Sequence, residues 1–232
     1  MLDRKQRILA EIRRHPAPTR RSWQLRAVSL LGVGAALTLT IFLAAGGVRQ
    51  EPRPPELILA TASGAVCIAT LAIAGLLGRG RVGLGRPRPT LIALMIGTPL
   101  LLLAWKWGWS ATSPANVVPW PDRPGLRCLG LSFLTGLPPL LALTLLWRDR
   151  DPVHGTLTGA AMGVAAGACS WVMVDLWCPV AYVPHLLLGH LLPMVWLALM
   201  GSILGWKVIS LREQGTVRAS AEPPPASSGS GG

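Results

Sequence analysis

The stretch from Thr156 to Trp177 reads TLTGAAMGVAAGACSWVMVDLW. Its one formally charged residue is Asp175, close to its end. A helix needs about 20 mainly apolar residues to cross the hydrocarbon core of a bilayer, and this stretch is long enough. Gly155, Gly159, Gly163 and Gly167 recur at every fourth position, with Ala160, Ala161, Ala165, Ala166 and Ala168 among them. That spacing puts the glycines on one helix face. Between helices in a bilayer there is no hydrophobic driving force, so association depends on close backbone approach at small residues. The segment is therefore expected to be a packing helix, with its partner in the same chain rather than in a second copy.

Five further apolar stretches cover roughly 27–47, 57–77, 89–105, 129–147 and 183–206, and none of them contains Asp, Glu, Lys or Arg. Pro99, Pro138, Pro139 and Pro193 fall inside these stretches. In a membrane bundle such prolines are tolerated because neighbouring helices re-satisfy the freed backbone groups. Kinks are expected in the third and fourth. No period-two alternation runs through the chain, so a lipid-facing β-barrel is not supported.

Composition agrees. The chain is 51% hydrophobic and 14% charged over 232 residues, where soluble domains carry about 25% charged residues. A disordered chain would be polar. A soluble nucleic-acid binder would carry its basic residues on a polar surface, so no direct nucleic-acid contact is expected. Four cysteines do not make a disulfide scaffold. The fold expected is all-α: a polytopic membrane bundle of six transmembrane helices over residues 27–206, preceded by a basic arm at 1–26 and followed by a disordered tail at 207–232.

The net charge of +12 records orientation. Assigned to alternate sides of six spans, Lys and Arg divide 17 against 5, and the arm alone supplies 8 of the 17. Cytoplasmic loops carry the Lys/Arg excess, which puts both termini in the cytoplasm. Trp23, Trp105, Trp107, Trp109, Trp147, Trp177 and Trp206 lie near span ends, where an indole sits with its ring half buried at the headgroups.

On this map Cys128 opens the fourth span and Cys178 closes the fifth on the same, outer side. Thiols facing an oxidising compartment can pair as a disulfide. Asp175, His185 and His190 lie close by in sequence. An ionisable residue in a membrane span is costly and marks a functional-site candidate with a partner; for Asp175 the natural partner is His190 or His185. Two readings stay open. Asp175, Cys178, His185 and His190 could hold a zinc-like ion, or an Asp–His hydrogen bond could simply fasten the fifth and sixth spans. Cys67 and Cys169, inside spans two and five, are expected to be small buried hydrophobes.

In the arm, Leu2 to Arg14 can form a short helix with Ile8, Leu9 and Ile12 on one face. It could fold into a groove on a partner. A basic leader that sets topology and touches anionic lipid reads equally well. No phosphate-binding glycine loop and no Ser/His/Asp pattern is present, so an enzyme is not expected. A small solute or metal transporter and a structural membrane subunit are the other classes to weigh.

The region from Arg127 to Gly205 resembles the NrsF family of bacterial membrane anti-sigma factors. The resemblance is carried by Arg127-Cys128-Leu129, Leu146-Trp147-Arg148, Asp151-Pro152, the run from Gly155 to Gly167, Asp175-Leu176-Trp177-Cys178-Pro179, and Met200-Gly201-Ser202-Ile203-Leu204-Gly205. It implies a six-span protein of the bacterial inner membrane whose cytoplasmic N-terminal segment holds an extracytoplasmic-function sigma factor. Release would follow an envelope stress, with Cys128 and Cys178 at the positions implicated in sensing. His185 and His190 fall outside the pattern and inherit no role from it.

Overall fold

The computed structural model describes residues 20–48, 53–78, 86–110, 125–148 and 154–209. Helix α1 spans Arg20–Ala44, α2 Pro55–Leu77, α3 Arg88–Ser110, α4 Leu126–Trp147 and α5 Gly155–Trp177. The sixth span is composite. A short helix α6 (Val183–Leu186) leads through a π-helical turn (Leu187–Leu191) into α7 (Leu192–Leu204), and a second π turn (Gly205–Ile209) ends it. No strand occurs among the described residues. Among the described residues, six helices are long and apolar enough to cross a membrane, as expected. Ile8, Leu9 and Ile12 of the arm, and the tail beyond residue 209, lie outside the described residues.

The fifth helix is the hub. It packs against α2, α3, α4 and the sixth span, and 83% of its most apolar window is buried, against 22% in α1 and in α3. A helix buried all round has no need of an amphipathic stripe. Its glycine face meets the sixth span. A β-carbon at Gly159 would overlap the Gly201 carbonyl, and one at Gly163 would overlap that of Leu197. The fit is reciprocal, because a β-carbon at Gly201 or Gly205 would strike the backbone of Gly159 or Gly155. The seam thus closes within the chain, as its spacing predicts.

Prolines free carbonyls, and neighbouring hydroxyls take them up. Pro139 has no N–H for the carbonyl of Thr135, four residues back. The Thr38 hydroxyl on α1 donates to that carbonyl at 3.0 Å. Pro193 does the same to Gly189, and the Ser132 hydroxyl on α4 donates to the Gly189 carbonyl at 3.1 Å. Helices α3 and α4 run unbroken through Pro99 and Pro138–Pro139. Thr135 and Ser170 link α4 to α5 through their hydroxyls, 2.9 Å apart.

Two expectations fail locally. Trp107 and Trp206 are exposed near span ends, but Trp147 is 3% exposed and belongs to the core beside Ala27 and Leu76. The reason is that α4 lies between α1 and α5, so its last turn faces protein. Cys67 is exposed rather than buried. It shares with Val66 and Leu71 the outward side of α2, which the rest of the bundle does not cover. Cys169 is half-buried.

Candidate functional site

Four side chains converge at the end of the bundle where α1 finishes and α4 begins. Cys128 stands in the first turn of α4. The chain enters that turn through Gly125, whose φ of 93° lies in the left-handed region that favours glycine. A β-carbon there would also sit 3.3 Å from the Gly189 backbone and from His185 Nδ1. Gly189 in turn lies against the Cys128 side chain. Two glycines thus let the start of α4 press on the π turn of the sixth span.

Cys178 caps the C-terminus of α5, with its N–H donating to the Val174 carbonyl at 2.7 Å. It has left the helix, with φ −99° and ψ 116°, as suits a residue before proline. His185 and His190 come from the sixth span. At 3.6 residues per turn, five positions would set two side chains about 140° apart. The π turn is wider, and the Leu192 N–H reaches back five residues to Leu187. It brings five positions closer to one full turn, and the two imidazole centroids stand 5.8 Å apart.

His185 Nε2 lies 3.1 Å from Cys178 Sγ and 3.5 Å from Cys128 Sγ. One ligand atom from each of Cys128, Cys178, His185 and His190 falls within 4.8 Å of all the others. All four residues are buried. His190 packs its ring on Trp171 at 5.0 Å, and neither of its nitrogens has a hydrogen-bond partner. A buried polar group left without a partner costs about 1–3 kcal/mol. Two thiols and two imidazoles at this separation are a donor set suited to a borderline-soft metal ion.

Asp175 is not a member of the cluster. Spacing suggested that it shares a face with Cys178 and pairs with a histidine. Because Cys178 lies outside the helix, that face is not shared. The carboxylate instead forms an ion pair with the ammonium of Lys106 at the end of α3. Arg53 stands beside this pair and donates from Nη2 to the Leu176 carbonyl at 3.1 Å. That carbonyl is in the last turn of α5, where no intrahelical donor remains and a cation suits the dipole. Burial pulls the Arg53 guanidinium below its ordinary pKa, while the nearby Asp175 charge holds it up. In sequence, Lys106 and Arg53 look like ordinary charges flanking the spans. The available signal was position: Lys106 stands between Trp105 and Trp107 at the bundle end that also holds Asp175.

Six apolar helices with a buried polar site at one end define a multi-pass membrane protein. The chain belongs to the NrsF family: the family model described as negative regulator of sigma F matches residues 12–210. The resemblance quoted from Arg127 to Gly205 therefore extends through the first half as well. No curated protein and no solved structure matches the chain.

Proposed function

We propose that this protein is an anti-sigma factor of the bacterial inner membrane. It holds an extracytoplasmic-function sigma factor through its cytoplasmic N-terminal arm, with Ile8, Leu9 and Ile12 as the apolar contact. It releases that partner on an envelope signal, redox or metal, received at Cys128 and Cys178. The observation that carries the reading is the family match, which begins in the arm and continues through the sixth span. The 17-to-5 division of Lys and Arg supports cytoplasmic termini.

The bundle offers a route between the two ends. Cys128 opens α4, and α1 lies along α4. Two polar contacts hold them in register: the Thr38 hydroxyl on the Thr135 carbonyl at 3.0 Å, and Arg26 Nη2 on the Leu145 carbonyl at 3.0 Å. A shift in the first turn of α4 is thereby passed to the helix that carries the arm.

Deletion of residues 1–16 tests the assignment. Sigma-dependent transcription should rise to its unrestrained level while the bundle still accumulates in the membrane fraction. A deletion variant that inserts normally and leaves transcription unchanged would refute the arm as the holding segment.

A further inference from the structure

We propose that Cys128, Cys178, His185 and His190 form a single four-ligand site for a zinc-class divalent ion, with the two histidines as ligands equal in standing to the two cysteines. This deepens the reading above by naming what the outer end of the bundle binds. It rests on that reading only for the consequence that occupancy governs release.

The geometry is close to what an ion requires. A tetrahedral site with metal–sulfur distances of about 2.3 Å and metal–nitrogen distances of about 2.0 Å has ligand–ligand edges of about 3.3–3.8 Å. Here the edges from His185 Nε2 to the two sulfurs are 3.1 and 3.5 Å, and all four ligand atoms lie within 4.8 Å of one another. An edge at that outer limit would have to shorten by on the order of 1 Å to reach tetrahedral geometry.

Two independent features point to a ligand, and a third removes a competitor for it. His190 is 2% exposed and has no hydrogen-bond partner at either ring nitrogen, though it sits among three other donors. A histidine kept merely for packing would be expected to satisfy one nitrogen. The π turn departs from α geometry at the residues that bring His190 towards His185, and such turns occur frequently at functional sites. Last, Asp175 is engaged by Lys106 and does not compete for the ion. Two thiolates balance a divalent charge, so the occupied site is neutral inside a buried pocket. Two sulfurs and two nitrogens in tetrahedral array favour zinc or its heavier congener cadmium over magnesium or calcium, which take oxygen ligands.

The ligands come from α4, from the cap of α5 and from the sixth span. An ion would therefore tie three elements together, including the helix along which α1 lies.

The test uses the full-length protein purified in detergent, stripped with a chelator and titrated with Co(II) and then Zn(II). One Co(II) per chain should bind, with thiolate-to-cobalt charge-transfer and tetrahedral ligand-field absorption, and Zn(II) should displace it. Removing a ligand should weaken binding at least as much as the roughly 10–100-fold that loss of an outer-shell partner costs. Cys128→Ser and His190→Ala should both do so, and Cys67→Ser/Cys169→Ser should bind as the parent does. Circular dichroism on each variant keeps misfolding separate from ligand loss. Absence of binding in the folded parent, or unchanged affinity and spectrum in folded His185→Ala and His190→Ala variants, overturns the site. The assay contains no sigma factor, so its failure leaves the anti-sigma reading standing, and failure of the arm deletion leaves the ion site standing.

Discussion

The ammonium of Lys106, near the C-terminal end of α3, rests on the carboxylate of Asp175, in the last turn of α5, with both side chains buried. Each charge is tolerable there because of the other. Removing one partner of a buried pair typically costs about 3–5 kcal/mol, since the remaining charge is uncompensated, whereas replacing both by apolar groups is often neutral. Lys106→Met should therefore destabilise the bundle by about 3 kcal/mol or more, and Lys106→Met/Asp175→Leu should recover most of that loss. Reversible unfolding in mixed detergent measures both. Equal losses in the single and double variants would show that the pair is not what these residues contribute. The Asp175→Leu single variant should be the more damaging of the two, because it removes the carboxylate whose charge acts on Arg53 as well as on Lys106.

A second prediction concerns the seam of α5. A β-carbon at Gly163 would overlap the Leu197 carbonyl, whereas one at Gly97 in α3 meets nothing within 4 Å. Backbone cannot yield as a flexible side chain does, and overpacking costs typically 1–3 kcal/mol. Gly163→Ala should cost about 2 kcal/mol. Gly97→Ala should instead gain about 0.5–1 kcal/mol, as alanine does over glycine in a helix interior. The same unfolding assay compares them. If both alanines behave alike, the four-residue glycine spacing reflects composition rather than contact.

The spans and the seam were legible because each depends on local pattern. Apolar length identifies the six helices, and small residues every fourth position identify the packing face of α5. Both signals survive without knowledge of what lies opposite. The site was only partly legible, for three physical reasons. Cys128 and Cys178 could be put at one end because alternation of spans fixes which ends meet. Asp175 falls outside the cluster because a helical three-residue spacing does not extend to a capping residue that has left the helix. His190 depended on a π turn, whose one-residue widening has no clear sequence signature, although Pro193 three residues on marks where a carbonyl must find another donor. Lys106 was hidden by its resemblance to an interfacial charge, since its burial follows from α3 packing against α5 and not from its neighbours in sequence.

The third prediction follows from that displaced carbonyl. Ser132 donates to Gly189 because Pro193 cannot, and the link holds α4 against the turn that carries His190. Ser132→Ala should cost about 1 kcal/mol, the usual net value of such a bond, with membrane helices averaging somewhat less at about 0.6 kcal/mol. Pro193→Ala restores a backbone N–H four residues beyond Gly189, so the carbonyl can then be satisfied within its own helix. In the Pro193→Ala background the loss of Ser132 should accordingly be smaller than in the parent, and a double-mutant cycle reads the difference directly. The cycle should also show whether the π turn depends on the proline. A turn that closes to α geometry on Pro193→Ala would rotate His190 away from His185 and weaken Co(II) binding without touching any ligand. Additive losses from Ser132→Ala and Pro193→Ala would mean that the hydroxyl and the proline act separately, and that the Gly189 carbonyl is not what joins them.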